Sequence, residues 1–396
     1  MTNVVRFPEA MVVSDVTPAE VVRRRLDAQR ISSTTFTQPD EVVAWLGAVQ
    51  AQDYLGALWA VGLRLVDARE SDVERALTER KIVRTWPMRG TLHFVAAADA
   101  RWMTELLAPR QAAAAASRLR SYGIDDAVLS RTRRVLVKNL EGGRQLSRPA
   151  VYQVLERAKI ATDKQRGLHM LWRLAHDCVL CFGPREGKQQ TFVLFDEWLP
   201  QAKRLPRDEA LAELAQRYFT GHGPATLSDF AWWSGMKLAD ARLAVRLADE
   251  RLDKALVGDQ CVWFARSTHA TLTARTGAHI LPAFDEFSVG YTDRTAAVDA
   301  CHLSHINRGG GMLDPIIVVD GRVVGTWKRR IEDGELIFSS APFSPLNRSK
   351  TRAVQLAVER YARFLELDVR REVRAVRSRG RARRALERSP MRLSSR

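Results

Sequence analysis

Nowhere in the sequence is there an uninterrupted apolar stretch approaching the roughly 18–20 residues that a membrane-spanning helix needs. The first twenty residues (MTNVVRFPEAMVVSDVTPAE) lack a basic segment followed by an apolar run, so no secretion signal is expected and the protein is placed in the cytoplasm. Cysteine is scarce: Cys178, Cys181, Cys261 and Cys301 are the only four. Cys178 and Cys181 have a CxxC spacing, but no second pair or nearby histidine pair completes a zinc site. They fall in the strand-like run CVLCF and are expected to be buried small apolar side chains. Zinc-protease, P-loop and dinucleotide fingerprints are absent, as is a nucleophile elbow. Gly309-Gly310-Gly311 beside Arg308 lacks the Lys-Ser/Thr ending of a phosphate loop, and His302 with His305 is a lone HxxH pair. Neither a metal nor a cofactor is expected.

What the sequence does have is the composition of a soluble globular protein, 46% hydrophobic and 27% charged, with a net charge of +16. That charge is uneven. Residues 369–396 hold 11 arginines against Glu372 and Glu387, a net +9 in a segment without a core-forming pattern. A basic arm of this kind suits a polyanion, through phosphate contacts that are salt-sensitive and indifferent to sequence. Nucleic acid is the favoured partner. Charge alone does not separate DNA from RNA or an acidic protein.

The expected fold class is α+β and predominantly helical, because one pattern, two or three short helices followed by a β-hairpin, recurs three times. The first copy (1–120) has helix starts at Thr17-Pro18 and near Pro39, the β-rich segment Ile82–Val95, and a helix from about Ala98 to Leu107. The second (121–205) has helices near 149–158 and 167–177. Its apolar runs CVLCF and TFVLF are joined by the basic connection Gly183–Gln190, which includes Arg185 and Lys188 and resembles a wing. The third (206–368) has a helix over Glu209–Phe219, then two helices around the tight turn Ser234-Gly235, the pattern of a helix-turn-helix. The hairpin-forming segment Ala255–Phe264 follows. A β-rich portion then turns at Asp320-Gly321, the strongest short hairpin signal in the chain, and a helix over about Lys350–Leu367 closes it. Three tandem winged-helix units with a β-rich C-terminal portion and a basic tail (369–396) are therefore expected.

Four blocks carry a resemblance: Val49-Gln50-Ala51-Gln52-Asp53-Tyr54, Arg84 to His93 (RTWPMRGTLH), Leu281 to Arg294 (LPAFDEFSVGYTDR) and Val323 to Trp327 (VVGTW). Together they resemble the winged-helix DNA glycosylases of AlkZ and YcaQ type, over most of the chain. The resemblance implies a monofunctional bacterial glycosylase that acts on duplex DNA, unhooks interstrand crosslinks and excises bulky N7-alkylated purines. Its Gln-x-Gln form at Gln50 and Gln52 implies the catalytic pair, and suggests the branch associated with self-resistance to genotoxic natural products. Asp53, Asp285 and Glu286 are candidate supporting carboxylates. Arg84, Arg89, His93, Arg185, Lys188 and Arg308 are candidate DNA contacts, and Trp86 is expected in the core. A monomer is the default.

The residues are consistent with that chemistry. A glutamine amide is too weak a base to deprotonate water, but it holds a water by donating and accepting hydrogen bonds. An N7-alkylated purine already carries positive charge and leaves readily, so positioning a water and stabilising an oxocarbenium-like sugar suffice. Residues two apart lie about 200° apart around an α-helix, so both glutamines serve one site only on extended or irregular backbone. Gly47 and Gly56 are expected to permit that break. A crosslinked base is tethered to the opposite strand and does not rotate freely. An open basic channel is therefore expected, with a hairpin between His302 and Asp314 reaching into the minor groove.

Two other readings compete. A non-catalytic winged-helix regulator explains the helix-turn-helix units and the charge, but has no use for the amide pair. A nucleic-acid chaperone built on the Arg-rich tail would lose its function with that tail, whereas a glycosylase would keep base release with weaker binding.

Overall fold

In the computed structural model, which describes residues 16–266 and 277–371, one order of elements occurs three times. In the first occurrence the helix Pro39–Leu46 is followed by strand β1 (Val49–Gln50), the helices Tyr54–Gly62 and Glu70–Thr78, and strands β2 (Ile82–Met88) and β3 (Thr91–Ala96). The short β1 pairs with β3, giving the order β1-β3-β2. In the second, the helix Asp126–Leu140 precedes β4 (Leu146–Ser147), helices Arg148–Arg157 and Arg166–His176, then β5 (Leu180–Phe182) and β6 (Thr191–Leu194), in the order β4-β6-β5. In the third, the helix Arg207–His222 precedes helices Leu227–Ser234 and Leu238–Leu247 and strands β7 (Leu252–Val257) and β8 (Gln260–Ala265). Here a single bridge, Ala225 to Trp263, stands where the short first strand lies in the other two.

The local chemistry explains where these elements begin. Thr226 and Asp229 form a reciprocal capping box at the start of Leu227–Ser234, and Gly235 ends that helix in the left-handed region. Trp233 and Phe230 on its inner face join Tyr218 and Phe219 in the core, while the outer face remains in water. Burial of each such aromatic or aliphatic side chain contributes about 1.5–3 kcal/mol.

The C-terminal portion is a five-stranded sheet of β9 (Ala278–Leu281), β10 (Ile316–Val319), β11 (Arg322–Glu332), β12 (Glu335–Pro342) and β13 (Asp368–Arg371), in the order β13-β12-β11-β10-β9. Its turns follow the expected chemistry, with positive φ at Asp320-Gly321 and at Asp333-Gly334. The helix Arg348–Leu365 packs the sheet against the first unit. Tyr361 and Phe364 lie with ring centroids 4.8 and 5.1 Å from Trp59, whose indole N–H donates to the Ile280 carbonyl at 2.8 Å. The helix Arg348–Leu365 thus returns to the first unit, and the loop after β9 enters the space beside β1.

Two elements differ from expectation. The helix expected over Ala98–Leu107 runs from Ala100 to Ser121 and includes Pro109. Residues 369–371, assigned from sequence to the basic tail, belong to β13 and pair in parallel with β12; residues 372–396 lie outside the described residues. The whole is a mixed α/β protein, 48% helix against 21% strand. Among the described residues no helix is long and apolar enough to cross a membrane.

Candidate active site

The Gln-x-Gln segment does not lie on a helix. Gly47 (φ +77°) ends Pro39–Leu46, Gln50 sits in β1 opposite His93, and Ala51 and Gln52 follow in irregular backbone before Asp53 caps the next helix. The Ala51 N–H donates to the Leu92 carbonyl at 2.7 Å, and the Ala51 carbonyl accepts from Arg84 Nε and Nη2 at 3.1 and 2.8 Å. Arg84 is thereby the clamp on the peptide between the two glutamines. Gly56 is no break: it lies inside the helix Tyr54–Gly62, where its N–H donates to the Asp53 carboxylate at 3.2 Å.

Both amides are fixed by their oxygens. Gln50 Oε1 accepts from Arg89 Nη2 at 2.7 Å, and Gln52 Oε1 accepts from the Leu92 N–H at 3.3 Å. Neither partner has an acceptor to offer there, so the two amide NH₂ groups are turned away from these contacts. Gln50 is nearly buried, whereas Gln52 and Asp53 are exposed.

Arg89 stands at the tip of the β2–β3 turn, with Arg89 and Gly90 both at positive φ. Besides Gln50 it donates to His93 Nε2 at 3.0 Å and, through Nη1, to the Trp233 carbonyl of the third unit. His93 Nδ1 lies 3.0 Å from the Thr91 carbonyl, so the proton resides on Nδ1 and Nε2 accepts from Arg89. Burial, and after it the charge of Arg89, press the His93 pKa down to about 3, and the ring is neutral.

Glu286 lies on the other side of Gln50. The loop after β9 delivers it at the start of the short helix Glu286–Val289, where its side chain is fully buried. Oε1 accepts the Gln50 backbone N–H at 3.0 Å. Oε2 accepts from Trp233 Nε1 at 2.8 Å and lies 3.1 Å from His222 Nε2. Burial alone would raise its pKa. The hydrogen bond and charge of His222, the charge of Arg89 and the Gln50 N–H outweigh burial, and the carboxyl titrates below its ordinary value. Glu286 is a buried anion that joins the first and third units at Gln50.

Asp285 has another task. Both of its oxygens bind the fully buried Arg64 guanidinium at 2.9 and 3.0 Å, and it caps the Phe287 N–H at 2.9 Å. It orients the turn that presents Glu286 and is spent in that pair. Of the three candidate carboxylates, Asp53 alone is open to solvent.

Several expected DNA contacts are corrected by burial. His93 is fully enclosed within β3, and Arg84, in the wholly buried β2, is 7% exposed. Arg185 in the β5–β6 connection lies over the Tyr54 ring at 4.5 Å and within 3.5 Å of Glu74, whose other oxygen accepts the Tyr54 hydroxyl at 2.6 Å. It joins the second unit to the first. Lys188 in the same connection is exposed. Arg308 is exposed and bonded to Asp314 at 2.6 Å, at the base of a glycine tip closed by an Asn307–Leu313 bridge that carries exposed Met312. Trp86 is in the core against Phe182, and Cys178 and Cys181 are buried thiols. His302 stacks on Phe343 at 4.3 Å, and no group of three metal-binding side chains occurs among the described residues.

Sequence reasoning missed His222, Trp233 and Arg64. All three act across separations of more than fifty residues, and only the GHGP run around His222 hinted at a specialised helix end.

Comparison with known proteins places this build among the DNA glycosylases, enzymes that hydrolyse the N-glycosidic bond between base and sugar. The chain belongs to the AlkZ-like DNA glycosylase family, whose model matches residues 43–364. It is 28% identical over 361 residues to an interstrand DNA cross-link repair glycosylase of Streptomyces sahachiroi, covering 87% of this chain and 95% of that protein. The solved structure of the Streptomyces sahachiroi DNA glycosylase AlkZ matches with a TM-score of 0.76 at 25% identity, over 91% of this chain and all of that one. Membership of a glycosylase family sets aside the non-catalytic regulator.

Proposed function

We propose that this glycosylase excises bulky N7-alkylated purines and unhooks interstrand crosslinks from duplex DNA, with Gln50 and Gln52 directing the attacking water. The observation that carries the reading is the way the protein holds Gln50: Arg89 on its side chain, Arg84 on the next carbonyl and Glu286 on its N–H. So many buried contacts on one short strand are the signature of a residue whose orientation matters. The C1′–N9 bond breaks with its electron pair passing to the cationic purine. The water oxygen adds to C1′, and its proton leaves to solvent. Exposed Asp53 adds negative charge beside the sugar cation.

The three helix-and-hairpin repeats are winged-helix units, bounded near 1–120, 121–205 and 206–368, that embrace the duplex through Lys188, Arg308 and other surface cations. The named relative is an interstrand cross-link repair glycosylase, which supports the substrate class; self-resistance to a genotoxic product is the biological setting suggested by the Gln-x-Gln form at Gln50 and Gln52. The site draws every part from one chain, so a monomer suffices. Release of free base from a duplex carrying a single N7-alkylguanine tests the reading. Intact DNA with wild-type protein in excess would overturn it.

A further inference from the structure

All ten tryptophans lie among the described residues, and one is unlike the rest. Nine are buried or half-buried, whereas Trp232 is 52% exposed. A single apolar side chain at a surface is ordinary. The way this one is held is not.

Trp232 precedes Trp233 in the helix Leu227–Ser234, and the 100° step between neighbours points the two rings in different directions. Trp233 turns inward to Glu286. Trp232 turns outward, with its indole N–H donating to the Val289 carbonyl at 3.3 Å. The same short helix, Glu286–Val289, therefore binds one indole at its start and the other at its end, and its first residue accepts the Gln50 N–H. One edge of the exposed ring is thus fixed to the same short helix that holds Gln50. The turn that follows is cationic: Arg89 donates to the Trp233 carbonyl, Arg110 to the Gly235 carbonyl, and Lys237 is exposed. An oriented flat apolar surface beside cations is what an unstacked base next to its phosphates requires.

We infer that Trp232 contacts the substrate: its exposed ring stacks on a base unstacked at the lesion while Gln50 and Gln52 act on the sugar. The assignment rests on the proposed site at those glutamines. It meets the difficulty that a crosslinked base cannot rotate into a closed pocket, since a platform at the rim supports a base that remains tethered. Stacking of this kind corresponds to a ten- to hundredfold effect per base.

The test uses the full chain, its Trp232→Phe, Trp232→Ala and Gln50→Ala/Gln52→Ala variants, and a duplex with one N7-methylguanine. The expected results are a DNA-dependent change in tryptophan emission that Trp232→Phe abolishes, and a ten- to hundredfold loss of lesion affinity or single-turnover release in Trp232→Ala. Trp232→Phe, which keeps a ring, should remain within a few-fold of wild type. The double glutamine variant should retain the emission change while losing release. Wild-type binding and release by Trp232→Ala, or an indole already shielded from acrylamide in the free protein, would overturn the assignment. Normal release by the glutamine variant alongside an impaired Trp232→Ala would retire the amide reading and leave the stacking residue standing.

Discussion

Arg89 Nη2 donates to Gln50 Oε1 at 2.7 Å, and through this contact the tip of a hairpin in the first unit sets the orientation of the Gln50 amide. Because an arginine only donates, the amide oxygen must face it, and a flipped glutamine is excluded. The same guanidinium reaches the Trp233 carbonyl, so the amide also registers how the third unit is seated.

Replacing Arg89 by alanine or lysine should therefore slow base release by roughly ten- to hundredfold, the loss of a hydrogen bond to a charged group. Affinity for undamaged duplex should change far less. Equal losses in release and non-specific binding would make Arg89 a phosphate contact instead.

Gly235 sits at φ +72°, and a Cβ there would stand 3.1 Å from Arg89 Cγ. Gly235→Ala should cost about 1–2 kcal/mol of stability from the left-handed backbone. It should also lower release, because Arg89 must move. Denaturant midpoints and single-turnover rates measure the two effects separately.

Glu286→Leu removes the acceptor for Gln50 N–H, Trp233 N–H and His222 in one step. With those buried groups unpaired, a loss of about 3 kcal/mol or more is expected in chemical denaturation. A variant as stable as wild type would mean that the network is looser than its distances indicate.

His93 governs an acid-sensitive window. Its folded pKa of about 3 lies below the ordinary 6.5, so the unfolded chain binds a proton that the folded one refuses. Its contribution is fully present above pH 6.5 and is lost as pH falls towards 3, on the order of 3 kcal/mol by pH 4. His93→Gln should flatten that part of the stability profile. Base release at pH 6–8 should show no titration from this ring.

Much of this architecture was legible because local chemistry and fold agree. Asp320-Gly321, Ser234-Gly235 and the paired runs around Leu180 and Phe192 each form the turn or hairpin their residues favour. The helix through Pro109 was not legible, because burial of Trp102, Met103, Leu107, Ala115 and Leu119 along its length outweighs the roughly 3 kcal/mol that an internal proline costs. Arg84 and His93 read as channel residues because they alternate with Arg89 within the RTWPMRGTLH block. All of β2 and all but the first residue of β3 are buried, and the two side chains became internal fixtures. Glu286 was visible as a candidate. Its partners were not, since Trp233 and His222 lie 53 and 64 residues away and meet it only when the loop after β9 folds back onto their helices.

The most direct measurement is single-turnover release of free base from a duplex containing one N7-alkylguanine by Gln50→Ala, Gln52→Ala and the double variant, with melting temperature and duplex affinity recorded alongside. Two water-directing amides predict a fall of roughly 10²–10³ in the double variant, as for loss of an oriented transition-state contact, with folding and DNA binding kept. Release at the wild-type rate from a folded, DNA-bound double variant would contradict the account and move the chemistry to Asp53, the remaining exposed carboxylate beside the motif.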